Sequence, residues 1–107
     1  MGNLAGKTAL VTGAGTGIGQ GIAIALAERG VRVAVHYNSS AEGAKETLRQ
    51  IEAIGGEAFI VQANVANKAE IDRMTATVAD RYGGIDILVN NAALQLNRDL
   101  LDYTPEE

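Results

Sequence analysis

Between the apolar run Thr8–Val11 and a helical pattern that starts at Ile18 lies Thr12-Gly13-Ala14-Gly15-Thr16-Gly17-Ile18-Gly19. Gly13, Gly17 and Gly19 have the spacing G-x-x-x-G-x-G at a strand-to-helix turn. With no Cβ in the way, such a backbone can approach a ligand closely. It also aims unpaired N–H groups out of the helix N-terminus, where the helix dipole favours an anion. In a strand–turn–helix setting the chemistry is that of holding the pyrophosphate of a dinucleotide. The turn does not satisfy G-x-G-x-x-G, because a start at Gly13, Gly15 or Gly17 puts Ile18, Gln20 or Ile22 at the last position. Nor is it a P-loop: Gly6-Lys7-Thr8 mimics the end of one, but Met1 stands at the required first glycine and a strand follows.

A second set of polar residues closes the next apolar run, His36-Tyr37-Asn38-Ser39-Ser40. A dinucleotide site that prefers NAD places a carboxylate here, about twenty residues past the glycines, to accept from the ribose hydroxyls. No acid precedes Glu42, so a group that would repel a 2′-phosphate is missing. Asn38, Ser39 and Ser40 can donate to such a phosphate, and the expected cofactor is NADP, with NAD as the alternative. The single histidine, His36, reads as a partly exposed or locally bonded side chain rather than a catalyst. One histidine and no cysteine give no expectation of a protein metal site. Acidic pairs such as Glu106-Glu107, or Asp99 with Asp102, read as solvated surface.

The elements that must position these residues follow from period and punctuation. Thr8–Val11, Arg32–Tyr37, Glu57–Gln62 and Ile85–Asn90 are short, apolar and rich in Val and Ile, as strands buried on both faces are. A helix over about Ile18–Arg29 puts Ile18, Ile22, Ala25 and Leu26 on one face and ends at Gly30. A second spans about Ser40–Ile54, with Leu48 and Ile51 inward, a capping box at Ser39 and Glu42, and Gly55-Gly56 behind it. A third spans Lys68–Tyr82, with Ile71, Met74, Val78 and Tyr82 on one stripe, Asn67 and Glu70 as cap, and Gly83-Gly84 as its end. Three strand–helix units and a fourth strand make βαβαβαβ. Right-handed crossovers turn that into a parallel sheet of order 3-2-1-4, the first half of a doubly wound Rossmann-type α/β fold.

On these residues the chain resembles the short-chain dehydrogenase/reductase family. Thr12–Gly19 is similar to its T-G-x-x-x-G-x-G cofactor turn, and Asn90-Asn91-Ala92-Ala93, at the end of the fourth strand, to its N-N-A-G motif. Within the family, bacterial glucose dehydrogenases and ketoacyl reductases are the nearest in pattern. The resemblance implies that Gly13, Thr16, Gly17, Ile18 and Gly19 wrap the pyrophosphate and adjoining ribose, and that Tyr37, Asn38 and Ser39 meet the adenosine end. It implies that Asn64 and Val65 lie near the adenine, with Asn64 replacing the family's usual Asp and keeping a carbonyl acceptor. Asn90 would brace the end of strand four and the backbone at Ala92 would pass the nicotinamide-side ribose, while Ala93 replaces the usual glycine. The family's chemistry uses a Tyr, a Lys four residues on and a Ser, beyond strand four. Here Tyr37, Tyr82 and Tyr103 are followed four residues on by Ala41, Asp86 and Glu107, so no catalytic residue is assigned.

The expectation is a single dinucleotide-binding domain over residues 1–107, the N-terminal part of a longer oxidoreductase that interconverts a small-molecule carbonyl and alcohol. Thr104-Pro105-Glu106-Glu107 reads as a helix start at the chain's end, which also points to a sequence cut short. The alternative is an inactive nucleotide-binding or self-assembling module, whose open fourth strand would drive self-association. Net charge is −4 and the nine Lys and Arg are scattered, so neither nucleic acid nor an anionic membrane is an expected partner. No run approaches the ~18 apolar residues of a membrane span, no signal peptide is read, and cysteine is absent. The expected setting is cytoplasmic, and the expected assembly, as family members form, a homo-oligomer.

Overall fold

The computed structural model describes residues 4–15 and 17–91. Four strands and three helices alternate: β1 (Thr8–Val11), α1 (Gly17–Glu28), β2 (Arg32–Tyr37), α2 (Ala41–Ala53), β3 (Ala58–Gln62), α3 (Lys68–Tyr82) and β4 (Ile87–Val89). All pairings are parallel and the sheet order is β3-β2-β1-β4, as right-handed crossovers require. The register aligns Val11 with Val35 and Val89, and His36 with Val61, so the ends of all four strands gather on one rim. β3 starts one residue later than the apolar run Glu57–Gln62 implies, and β4 is shorter at both ends than Ile85–Asn90.

Two apolar layers sandwich the sheet. On one face Ala9, Val11, Val33 and Val35 pack against Ala23 and Ala27 of α1 and Ala44 and Ile51 of α2. On the other, Leu10, Ala34, Phe59 and Val61 pack against Met74, Val78 and Tyr82 of α3. Of the central strands, β1 is buried throughout and β2 everywhere but at its two end residues. In the edge strand β4, by contrast, Leu88 is 62% exposed. At the starts of the strands, Arg32 Nη2 donates to Thr8 Oγ1 and to the Tyr82 carbonyl, each at 3.0 Å. Its guanidinium stacks 4.8 Å from the Tyr82 ring, which meets Phe59 edge-on.

The helices follow the sequence to different degrees. α3 has the expected bounds: Asn67 caps it by accepting from the Glu70 amide, and Gly83 ends it in the left-handed region at φ 82°. α2 begins instead after Ser40, whose side chain makes no capping bond, so the Ser39–Glu42 capping box does not form. Its buried residues are Ala44, Thr47 and Ile51, with Leu48 half-buried. In α1 the expected face is displaced. The buried positions are Gly19, Ala23 and Ala27, four residues apart, while Ile18 is 59% exposed and Ala25 is also exposed. Small side chains on that stripe let α1 lie close to the sheet, and Ile22, Ile24 and Leu26 pack half-buried beside it.

Candidate functional site

The site forms where the sheet changes winding direction, at the carboxyl ends of β1 and β4, because the chain leaves β1 toward α1 on one face and reaches the neighbouring β4 from α3 on the other. β1 runs into the Thr12–Gly15 turn, which leads to the start of α1 at Gly17. Gly13 and Gly17 have φ of 65° and 50°, values that a side chain would strain. Gly19 has a different constraint. A Cβ there would fall on the Gly13 carbonyl and 2.7 Å from Asn91 Nδ2, so α1 can start this close to the turn only with glycine at this position. Among the described residues, nothing lies within 4 Å of where a Gly17 Cβ would stand. α1 carries no acid in its first turn to neutralise its positive end.

Three elements pin the turn. From β4, the Val89 carbonyl accepts from the Thr12 amide at 3.0 Å, Thr12 Oγ1 is 3.3 Å from Asn90 Oδ1, and Asn91 Nδ2 donates to the Gly13 carbonyl at 3.3 Å. From α2, Thr47 Oγ1 donates to the Ala14 carbonyl at 2.8 Å and accepts from Gln20 Nε2 at 2.9 Å. A Cβ on Gly43 would meet the Gly15 carbonyl, so α2 presses its backbone directly on the turn. From β2, the His36 carbonyl accepts from the Ala14 amide at 2.8 Å and His36 Nδ1 from the Gly13 amide at 2.9 Å. His36 is 1% exposed and bonded through both ring nitrogens, so of the two expectations, a partly exposed or a locally bonded histidine, the second holds. Burial lowers its pKa, and the bond to the Ala63 carbonyl opposes that effect in part.

The strand ends supply the rest of the crevice. Tyr37 is half-buried, and Asn38, Ser39 and Ser40 are exposed, with the Asn38 carbonyl accepting from Gln62 Nε2 at 3.1 Å. The first acid beyond them, Glu42, points outward and lies 3.6 Å from Lys45 Nζ. Asn64 is exposed and Val65 half-buried at the end of β3. Asn64 Oδ1 already accepts from the Ala66 amide at 2.9 Å, so one lone pair of that oxygen remains for a ligand. Gly13, Gly17, Ile18, Gly19 and Asn90 thus come together at the β1–β4 end, and Tyr37, Asn38, Ser39, Asn64 and Val65 at the β2–β3 end. Thr16 and Ala92 lie outside the described residues.

The sequence reading missed the parts played by His36, Gly43 and Thr47. Gly43 carried a signal: glycine inside a helical pattern costs about 1 kcal/mol against alanine, and a close backbone contact explains its presence. Among the described residues no group of three or more His, Cys, Asp or Glu is placed to hold a metal ion. No helix among them is long and apolar enough to cross a membrane.

Comparison with known proteins agrees with this geometry. A family model described as short chain dehydrogenase matches residues 7–107. The chain is 45% identical over 92 residues to the short-chain dehydrogenase/reductase homolog YusS of Bacillus subtilis, a match covering 86% of this chain and 84% of YusS. It is 48% identical over 104 residues to a 3-oxoacyl-(acyl-carrier-protein) reductase of a Synechocystis species, covering 97% of this chain but 42% of the reductase. Among solved structures, the landomycin C-6 ketoreductase LanV with bound NADP and rabelomycin superposes with a TM-score of 0.71 at 44% identity, over 81% of this chain and 38% of LanV. The glycine turn, the paired asparagines after β4, the sheet order and these matches have one reading: the chain belongs to the short-chain dehydrogenase/reductase family.

Proposed function

We propose that these residues form the cofactor-binding part of an NADP-preferring oxidoreductase that interconverts a small-molecule carbonyl and alcohol. The observation that carries the reading is the seat of Gly19 on the Gly13 carbonyl, which brings the start of α1, with no acid in its first turn, directly onto the glycine turn. The residues present fit a pyrophosphate there. Gly13, Gly17, Ile18 and Gly19 hold it with the adjoining ribose, together with Thr16. Asn90 fixes the β4 rim through its contact with Thr12, beside Ala92. Asn64 and Val65 flank the adenine, and Tyr37, Asn38 and Ser39 meet the 2′-phosphate end. When bound, the dinucleotide supplies or accepts a hydride. The chain's own residues bind and orient it, and no acid–base group for the substrate is assigned among them.

The names of the Synechocystis reductase and the ketoreductase LanV support a carbonyl substrate, and the NADP in LanV supports the cofactor. The absence of an acid between Tyr37 and Ala41 supports it independently. An Asn38→Asp variant tests this assignment. It should shift preference from NADPH toward NADH by about tenfold or more, through repulsion of the 2′-phosphate. An unchanged ratio of the two dissociation constants would remove Asn38 from the site.

A second reading has its own support. YusS is a relative of similar length, 84% covered by this chain, so a short nucleotide-binding or self-assembling module is the alternative. The intact mass of the protein from its natural source separates the two. About 11.1 kDa favours the module, and twice that or more favours the longer oxidoreductase. For the module we propose a homo-oligomer joined through β4, whose outer edge carries the exposed Leu88. A monodisperse monomer by light scattering contradicts it. A cytoplasmic setting belongs to the same proposal, supported by a sequence without cysteine.

A further inference from the structure

We propose that His36 is the positioning residue of the pyrophosphate turn: its unprotonated Nδ1 holds the Gly13 amide, and its protonation releases that hold and weakens dinucleotide binding. The proposal rests on the cofactor reading above and assigns that site a proton-linked support. The geometry defines the tautomer. The Gly13 amide, 2.9 Å from Nδ1, can only donate, and the Ala63 carbonyl, 2.8 Å from Nε2, can only accept. His36 is therefore neutral, with Nδ1 bare and the proton on Nε2.

In this state one buried ring joins three strand ends: the turn after β1, β2 itself, and the residue after β3. The fold depends on where it puts Gly13. The carbonyl of that residue accepts from Asn91 and is the surface on which Gly19 rests, so the height of Gly13 sets the start of α1.

A proton on Nδ1 would set N–H against N–H on a buried ring. The charged groups at this end of the surrounding elements are engaged elsewhere. From α3, Lys68 pairs with Asp72, Glu70 accepts from the Asn64 amide, and Arg73 donates to the Gln62 carbonyl. From α2, Glu42 lies by Lys45, and β2 itself adds Tyr37. β1 and the N-terminal half of α1 contain no charged residue. Burial accordingly lowers the pKa, and the ring is neutral above the ordinary imidazole value of about 6.5.

The test is calorimetric titration of NADP⁺ into wild type, His36→Asn and His36→Leu at about pH 7.5 and about pH 5.5. Asparagine places a non-titrating oxygen near the position of Nδ1, and leucine places no acceptor there. At the higher pH, His36→Leu should bind roughly tenfold more weakly and His36→Asn within about threefold of wild type. On acidification, wild type should weaken about twofold or more relative to His36→Asn, a ratio in which the ligand's own phosphate titration cancels. Leucine binding as well as histidine, or a wild-type to asparagine ratio that does not move with pH, overturns the assignment of His36 alone. Wild type that binds no dinucleotide overturns the cofactor reading and this proposal together. Should both variants unfold, ring-nitrogen NMR shifts of the wild type decide: a bare Nδ1 at about pH 7.5 is expected, and a protonated one is the contradicting result.

Discussion

At the residue scale the candidate site depends on a single missing methyl group. Gly19 is fixed by what surrounds it, the Gly13 carbonyl and Asn91 Nδ2, and not by its own backbone angles. A Gly19→Ala chain should lose dinucleotide binding and about 1–3 kcal/mol of stability in urea denaturation, because the neighbour that must move is backbone. His36 gives a second prediction, of stability against pH. Its folded pKa is lowered, so between the ordinary value of about 6.5 and the folded value the unfolded chain binds more protons. Its contribution is complete above about pH 6.5 and declines as pH falls below it, which denaturation midpoints across that range will show. The glycines were legible in the sequence because their spacing carries the chemistry. His36 was not, because a buried bond between a ring nitrogen and an amide twenty-three positions away leaves no periodic trace.

At the element scale, legibility followed the strength of the local signal. α3 has its cap, stripe and terminal glycine all in register, and its bounds are those the sequence indicates. Replacing Asn67 with Ala removes the acceptor for the Glu70 amide and should cost about 1 kcal/mol, measured by chemical denaturation, with dinucleotide affinity unchanged. α1 misled because it is apolar nearly all round, so hydrophobic period could not choose a face. Closeness chose it: Gly19, Ala23 and Ala27 allow an approach that Ile18 and Ile22 do not. α2 shows the same priority. Gly43 and Thr47 bind it to the glycine turn, and that contact, not a capping box at Ser39, sets where it starts.

For the whole molecule, the sheet order was legible because parallel strands joined by right-handed helical crossovers leave few arrangements. That order places the change of winding between β1 and β4, and so brings the glycine turn and the paired asparagines onto one rim although seventy-eight positions separate Gly13 from Asn91. The burial of the outer strands was less legible. β4 reads as a doubly buried strand, yet in a four-stranded sheet it is an edge with Leu88 exposed. The central claim is that this rim holds a dinucleotide with a 2′-phosphate. Titration of the chain with NADPH and with NADH, followed by cofactor fluorescence, tests it most directly. The account predicts saturable binding of both, tighter for NADPH, and its loss in Gly19→Ala. Tighter binding of NADH would contradict the placement of Asn38 and Ser39, and no saturable binding of either would contradict the site itself.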